Sequence, residues 1–240
     1  MKEKNCTARN NRKRVCYILA LLVFGIALFF GTESVMKEES THVYQVFCIG
    51  DSITYGSGLP KEERNSECYP AQLQTLLGAH YQVINYGMSG RTLMDNTERS
   101  YRDTGYIDMV KIQSPDILLV MLGTNDSKQE VWDVSRYRQE YIALVQELQE
   151  IASRPDIYLM IPPKAYPYDG DTIVYGINND IIRDEIRGII ADVSSVTGTG
   201  LIDLYAVTEN HPEYFMDGVH PNQKGYEVLA AEICRQIEKN

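Results

Sequence analysis

The sequence predicts an α/β domain, a three-layer α/β/α sandwich with a five-stranded parallel sheet as its middle layer. Two observations lead to this class. Short apolar runs alternate with helical segments along the chain, and one run is apolar throughout, as expected of a strand covered on both faces. Strands separated by helices form parallel βαβ units with right-handed crossovers, which place helices on both faces of the sheet.

Five runs are predicted as strands. Asp116–Leu122 is the continuously apolar run, and Asp156–Ile161 is stopped by two consecutive prolines, which the interior of a sheet does not tolerate. The other three runs are shorter but rich in strand-forming residues, and they are Tyr44–Ile49, Gln82–Tyr86 and Gly200–Leu204.

Four segments are predicted as helices. Pro70–Leu77 begins with a proline at its first turn and continues with helix formers. Apolar residues recur at helical spacing between Tyr141 and Ile151, and again within Asn178–Val196. The last helix carries the same kind of stripe from Tyr226 to Ile237, so that each predicted helix has one face to bury against the sheet.

Composition divides the chain into a basic tail (1–14), an apolar stretch (15–31), a polar tether (32–43) and a globular domain (44–240). The apolar stretch has 17 residues and no charge, which is the length of a membrane-spanning helix. Its basic flank predicts a cytoplasmic tail and an extracytoplasmic, membrane-anchored domain. Because no A-x-A cleavage site follows, a retained signal-anchor is favoured over a cleaved signal peptide, and both readings stay open.

The charge of the chain limits its partners. The net charge is −10, and since residues 1–34 hold six Lys or Arg against two Glu, the remainder is more acidic still. Such a body repels nucleic acid, so no nucleic-acid partner is expected and the predicted membrane contact is the N-terminal helix. The five cysteines show no metal-ligand spacing, and neither a metal nor an organic cofactor is expected. The oligomeric state and a Cys68–Cys234 bridge are left open.

Four polar blocks follow predicted strands. The carboxyl ends of parallel strands meet at one edge of a sheet, which is where the sites of such folds form. Each block alone is compatible with a turn or a helix cap, whereas four blocks at one edge indicate a functional site. The blocks are Gly50–Gly56, Asn85–Thr92, Gly123–Asp126 and Asp217–Asn222.

The blocks contain the parts of a nucleophilic catalyst. A serine hydroxyl such as that of Ser52 reacts only when a neighbouring base takes its proton, and His220 is a suitable base. Asp217, three residues earlier, is placed to fix the imidazole tautomer. The backbone N–H groups of Ser52 and Gly90, with the side-chain amide of Asn125, are candidate donors to the oxyanion of a tetrahedral intermediate.

These blocks resemble those of the SGNH or GDSL-like serine hydrolases, which are named for Ser, Gly, Asn and His in separate blocks. GDS, the SG of NYGMSGRT, GTND and DxxH appear here in the same order, across nearly all of residues 44–240. The resemblance implies a flavodoxin-like fold, a Ser52–His220–Asp217 triad and an oxyanion hole that includes Gly90 and Asn125. The one departure is Ile53, where the family name has leucine, and this apolar exchange puts nothing in doubt.

Three stretches, GDSITYGSGL, YPAQLQTLLG and NYGMSGRTL, are also similar to a bacterial subgroup described as sialate O-acetylesterase-like or acetylxylan-esterase-like. That similarity implies removal of acetyl groups from O-acetylated carbohydrate.

Five further residues are candidates for contact with substrate. Arg91 follows Gly90 and is as well suited to a surface ion pair. Trp132 follows the third block closely, and its alternatives are a place in the wall of the pocket, which is slightly favoured, or packing under a helix. Tyr166 and Tyr168, together with Tyr175, belong to a segment rich in tyrosine, proline and glycine that follows the fourth strand, and their rings are suited to packing on a sugar. The alternative for these tyrosines is a surface loop stiffened by proline.

Other functions are compatible with the same fold. Within the enzymes, the rivals are a lipase, a thioesterase or an acyltransferase acting on cell-wall sugars. Outside them, the rival is a catalytically silent carbohydrate-binding module. A phosphate-bearing cofactor is disfavoured, because the first turn carries Asp51 where an anion site needs glycines and a basic residue. For Asp51 and Asp126, a structural hydrogen bond to backbone N–H is favoured over a role as acid or base.

Overall fold

The computed structural model describes residues 42–238. The predicted basic tail (1–14), the membrane segment (15–31) and all but the last two residues of the tether lie outside the described residues. Within the described part, no helix combines the length and the apolar character needed to cross a bilayer.

The middle layer is a five-stranded parallel sheet, which confirms the predicted class. Its strand order is β2-β1-β3-β4-β5, so that β1 and β3 lie adjacent near the centre and the direction of winding changes at β1. The strands are β1 (Tyr44–Gly50), β2 (Tyr81–Gly87), β3 (Ile117–Met121), β4 (Asp156–Ile161) and β5 (Gly200–Asp203).

Helices follow every strand, and the four predicted ones are all found. Asn178–Val196, predicted as one helix, is capped by Asn178 and is interrupted by a π-helical turn over Ile182–Ile186. The α-helices are α1 (Ser52–Tyr55), α2 (Arg64–Glu67), α3 (Tyr69–Leu77), α4 (Tyr106–Gln113), α5 (Val134–Gln149), α6 (Asn179–Ile181), α7 (Arg187–Thr197), α8 (Leu204–Thr208) and α9 (Gln223–Ile237).

The sheet separates two apolar cores, because successive side chains of a strand point to opposite faces. From β1, Phe47 and Ile49 join the core under α4, α5 and α7, whereas Val46 and Cys48 join the core under α3 and α9. All four side chains are essentially inaccessible to solvent. Cover on both faces explains why the central strands are apolar throughout, and it fixes the sheet edge at which the polar blocks emerge.

Cys48, Cys68 and Cys234 are all buried and all free. The Cys68–Cys234 bridge that the sequence left open is therefore not formed, and burial raises the pKa of each of the three thiols.

Candidate active site

Ser52 lies where β1 ends and α1 begins. The preceding residue, Asp51, caps this short helix by accepting a hydrogen bond from Ile53 N at 2.9 Å. The cap fixes the direction in which the chain leaves the sheet, and it leaves Ser52 7% exposed at the sheet's carboxyl edge. The backbone N–H of Ser52 has no hydrogen-bond acceptor among the described residues, so it is free to donate to a bound group.

Ser52, His220 and Asp217 form a continuous hydrogen-bonded chain. The Oγ of Ser52 lies 3.0 Å from Nε2 of His220, and Nδ1 of His220 lies 2.7 Å from Oδ2 of Asp217. The second carboxylate oxygen, Oδ1, accepts the backbone N–H groups of Val219 at 3.0 Å and His220 at 2.8 Å. The structure thus brings together the three residues that sequence reasoning selected, although 168 positions separate Ser52 from His220.

The carboxylate of Asp217 is held in its ionised form. Partial burial alone raises the pKa of Asp217, but the hydrogen bonds from the ring and backbone of His220 and from the backbone of Val219 outweigh burial and hold it well below its ordinary value. A permanently ionised Asp217 keeps the proton of the imidazole on Nδ1, which leaves Nε2 as the acceptor for the serine proton.

Tyr175 is a fourth participant that the site prediction missed. Its hydroxyl donates to Oδ2 of Asp217 at 3.0 Å, and its ring lies edge-on to His220 with 5.2 Å between the ring centres. The residue has a φ of 62°, a left-handed conformation that a tyrosine rarely adopts. The sequence did indicate Tyr175 as a wall for a sugar, but nothing in the sequence pointed to the triad carboxylate as its partner.

The candidate oxyanion donors lie beside Ser52. Gly90 has a φ of 76°, which only glycine adopts without strain, and its N–H has no acceptor among the described residues. Asn125 is more constrained, since its amide nitrogen donates to Arg91 O at 3.1 Å and to Asp51 Oδ2 at 3.3 Å. Because both amide hydrogens have partners, donation to an oxyanion requires exchange of one of them, and the longer contact with Asp51 is the weaker one.

Two fully buried carboxylates support these donors. Asp126 accepts the backbone N–H groups of Leu93 and Met94, both at 2.9 Å, and so holds the segment that follows Gly90. Burial raises the pKa of Asp126 to about 7 and that of Asp51 to about 6, against hydrogen bonds that lower both. Both aspartates thus make the backbone hydrogen bonds that their positions in the blocks indicated.

Arg91 and Trp132 lie outside the cavity above Ser52. The guanidinium of Arg91 donates to the backbone oxygen of Ser100 at 3.4 Å. Arg91 contacts the site through its backbone oxygen, which accepts a hydrogen bond from the amide of Asn125, and not through its charge. The indole of Trp132 donates to Glu185 at 3.0 Å and packs on the ring of Tyr137.

The two predicted tyrosines also point elsewhere. Tyr166 is buried, and its hydroxyl donates to the backbone oxygen of Thr208. Its backbone N–H donates to Gly218 O at 2.8 Å, and a β-carbon on Gly218 would lie only 2.1 Å from the backbone oxygen of Tyr166. Tyr166 therefore holds the loop between Asp217 and His220 from behind, while Tyr168 is exposed and does not line the cavity.

A cavity of about 440 Å³ opens over the triad. Within residues 42–238, no group of three or more His, Cys, Asp or Glu side chains is arranged to hold a metal ion. The lining combines the triad, the candidate oxyanion donors and residues from five segments at the carboxyl edge of the sheet: Ser52, Ser57, Gly58, Ser89, Gly90, Arg99, Thr124, Asn125, Lys128, Tyr175, Ile177, Asp217, Val219 and His220.

Known esterases and acylhydrolases are similar to this chain in sequence and in fold. The profile of the GDSL-like lipase/acylhydrolase family matches residues 48–228. An acetylxylan esterase from Xylanibacter ruminicola is 33% identical over 222 residues, covering 84% of this chain and 44% of that protein, so the chain spans less than half of the relative's length. Two solved structures share the fold over 82% of this chain and 99% of theirs: an aryl esterase from M. smegmatis, with a TM-score of 0.68 and 20% identity, and a carbohydrate acetylesterase from Sinorhizobium meliloti, with 0.67 and 19%.

Proposed function

The chain belongs to the GDSL-like lipase/acylhydrolase family, and from that premise we propose that it is a serine esterase that removes acetyl or other short acyl groups from O-acetylated carbohydrate. The observation that carries the proposal is the unbroken chain of hydrogen bonds from Ser52 through His220 to Asp217 at the cavity of about 440 Å³. This is the arrangement that a hydroxyl nucleophile requires.

In the first half of the reaction, the Oγ of Ser52 attacks the carbonyl carbon of the ester while Nε2 of His220 takes the hydroxyl proton. The carbonyl oxygen becomes an oxyanion, which the N–H groups of Ser52 and Gly90 and the amide of Asn125 stabilise. As the tetrahedral intermediate collapses, the bond from the acyl carbon to the sugar oxygen breaks. That oxygen takes the proton from Nε2 and leaves as an alcohol, and the acyl group remains on Oγ.

In the second half, water takes the place of the alcohol. His220 removes one proton from the water, the hydroxide oxygen attacks the acyl carbon, and a second oxyanion forms in the same position. Collapse breaks the bond to the Oγ of Ser52, which recovers its proton from His220, and the carboxylic acid is released. Asp217 stays ionised throughout and stabilises the imidazolium at each stage.

Two findings support an acylated sugar as the substrate. The Xylanibacter ruminicola relative is an acetylxylan esterase, and one structural neighbour is a carbohydrate acetylesterase. The cavity also has the size of small-ligand sites in general, and its lining is rich in hydroxyl, amide and charged groups. Such a lining matches a hydrated sugar better than the tail of a long-chain lipid.

The test is a parallel assay of the purified full chain and its Ser52→Ala variant on acetylated oligosaccharides and on nitrophenyl esters of increasing chain length. We expect acetate release by the wild type and a loss of at least ~10⁴-fold in kcat for Ser52→Ala. Ser66→Ala is the matched control, because Ser66 is an exposed serine of α2 that lies outside the cavity.

Each alternative gives a different result in this assay. A preference for acyl chains of eight or more carbons would favour a lipase, and transfer of the acetyl group to a second sugar in place of water would favour an acyltransferase. Binding of sugar with no ester cleavage would indicate a silent carbohydrate-binding module. Activity that survives Ser52→Ala would refute the mechanism.

We further propose that the N-terminal segment at residues 15–31 anchors this domain outside the cytoplasm. Support comes from the sequence alone, namely 17 uncharged residues preceded by a basic tail. Mass spectrometry of the N-terminus in the membrane fraction distinguishes the anchor from a cleaved signal peptide. Recovery of the uncut full chain in the soluble fraction would contradict both.

A further inference from the structure

A second cavity of about 390 Å³ adjoins the one above Ser52. Four residues line both cavities, namely Gly90, Arg99, Asn125 and Lys128. Two of them are candidate oxyanion donors and the other two are cations. We call the cavity above Ser52 the inner cavity and the second one the outer cavity. The passage between them is therefore lined by two positive charges close to the place where the ester group reacts.

Neither cation has a partner of its own. Within residues 42–238, the side chains of Arg99 and Lys128 form no ion pair and no hydrogen bond, although the chain as a whole carries a net charge of −10. Most other arginines of this part are paired with carboxylates. The paired arginines are Arg102, Arg136, Arg138, Arg183, Arg187 and Arg235.

The carboxylates that line the two cavities form no ion pair with Arg99 or Lys128. Asp217 lines the inner cavity but is bonded to His220 and Tyr175. Glu98 and Glu130 line only the outer cavity, and neither comes within 4.0 Å of a cationic group in the described chain. Arg99 and Lys128 therefore line the passage without a direct carboxylate partner in the described chain.

The backbone at both residues is fixed by hydrogen bonds. Arg99 O accepts the N–H of Thr92 at 3.1 Å, and the Nη1 of Arg99 lies 3.1 Å from where a β-carbon on Gly90 would be. Lys128 O accepts the N–H groups of Val131 and Trp132, both at 2.9 Å. Because the backbone is fixed at both positions, less freedom is lost when these side chains grip a ligand.

We propose that Arg99 and Lys128 bind a carboxylate of the substrate, so that the enzyme favours O-acetylated acidic sugars over neutral ones. A guanidinium matches both oxygens of a carboxylate, and an ammonium adds a second charge-assisted contact. Neither residue belongs to the four sequence blocks that carry the family resemblance. The inference rests on the proposed esterase function and specifies which alcohol it acts on.

The test uses two substrates that differ in a single group. These are a mono-O-acetylated methyl glucoside and the matching methyl glucuronide, in which a carboxylate replaces the hydroxymethyl group. For the full-length wild type, we expect the glucuronide to have the higher kcat/KM by at least about fivefold, with the preference narrowing as salt is added. We expect Arg99→Gln and Lys128→Gln each to lower kcat/KM for the glucuronide about fivefold, through KM, and to lower it less for the glucoside, so that the preference for the glucuronide is reduced.

Arg154→Gln is the matched control. Arg154 is an exposed arginine at the opposite edge of the sheet, and its side chain has no partner among residues 42–238. Its replacement changes the net charge by the same amount. We expect Arg154→Gln to change kcat/KM by no more than twofold for either substrate. An equal effect of this variant would show that net charge, and not a binding site, sets the preference.

The remaining outcomes are distinguishable. Equal hydrolysis of both substrates by the wild type would overturn this inference and leave the esterase function intact. An equal loss of kcat/KM on both substrates in Arg99→Gln and Lys128→Gln would also overturn the inference. That result would show that the two cations stabilise the oxyanion or the local structure and do not bind a carboxylate. Hydrolysis of neither substrate, or of any other acetylated sugar, would refute the esterase function itself.

Discussion

Replacement of Asp217 by asparagine tests how the site keeps His220 in its productive tautomer. The two oxygens of Asp217 have different partners, since Oδ1 accepts two backbone N–H groups and Oδ2 accepts Nδ1 of His220. In Asp217→Asn only one side-chain oxygen remains, and it accepts the two hydrogen bonds from the backbone N–H groups of Val219 and His220. The new NH2 group then faces Nδ1, which must give up its proton to accept a hydrogen bond.

The consequence is a base that carries its proton on the wrong nitrogen. Nε2, which lies 3.0 Å from the Oγ of Ser52, becomes a donor and no longer takes the serine proton. Tyr175 reinforces this state, because its hydroxyl at 3.0 Å from Oδ2 can rotate to accept from the new NH2 group.

The size of the effect follows from what the productive tautomer would cost. The amide would have to turn its NH2 group towards the backbone N–H groups of Val219 and His220. Two hydrogen bonds worth ~1 kcal/mol each would be lost, and unpaired donors would add ~1–3 kcal/mol. A total of ~3–5 kcal/mol corresponds to a loss of ~10²–10⁴-fold in kcat.

The assay is kcat on a short-chain acetyl ester, with circular dichroism and thermal unfolding to check the fold. Asp133→Asn is the matched control, because Asp133 is an exposed helix cap of α5 where asparagine also accepts the N–H of Arg136. If Asp217→Asn folds normally and keeps more than a tenth of the wild-type kcat, Asp217 does not select the tautomer.

Two further predictions concern groups around the triad. Tyr175→Phe removes the hydroxyl that donates to Asp217 but keeps the ring against His220, so kcat should fall about two- to tenfold while KM stays within twofold. The kcat of Tyr175→Ala should be lower still. A Tyr175→Phe variant with the wild-type kcat would show that only the ring contributes. For Asp126, burial raises the pKa in the folded state from 3.8 to about 7. Its contribution to the free energy of unfolding is therefore complete below about pH 4 and is lost as the pH rises through 7, with a loss of at most ~4 kcal/mol. Urea unfolding across this range should show a flatter pH dependence for Asp126→Asn than for wild type, and parallel curves would contradict this assignment.

The sheet was predictable because its strands satisfy one strong physical requirement. Strands covered on both faces must be apolar throughout, and that pattern is visible in β3 and β4 without any partner. α4 was not predicted, for the opposite reason. It buries only Ile107 and Val110, while Met109 and Ile112 are 45% and 83% exposed, so its apolar residues form no stripe.

The same distinction applies to the site. Backbone topology alone brings Ser52 and His220 to one edge of the sheet, so their order along the chain sufficed to select them. The direction of a long side chain depends on neighbours that the sequence does not identify. Arg91 donates to a backbone oxygen and Tyr166 packs behind the catalytic loop, although both follow strands at the active edge.

Asp51 and Asp126 show why conspicuous polar residues in such blocks need not react. Asp126 bonds the backbone at Leu93 and Met94 after β2, and Asp51 bonds both α1 after β1 and the amide of Asn125 after β3. Together they connect the carboxyl ends of three adjacent strands, which are the ones that carry the nucleophile and the oxyanion donors. Burial raises the pKa of both aspartates towards neutrality, so the folded state favours their protonated forms, and ionisation of either one as the pH rises reduces the stability of this connection rather than starting the reaction. As the pH rises through about 7, the pH–activity profile should therefore include a component that Asp126→Asn changes, while Ser52 remains essential at every pH.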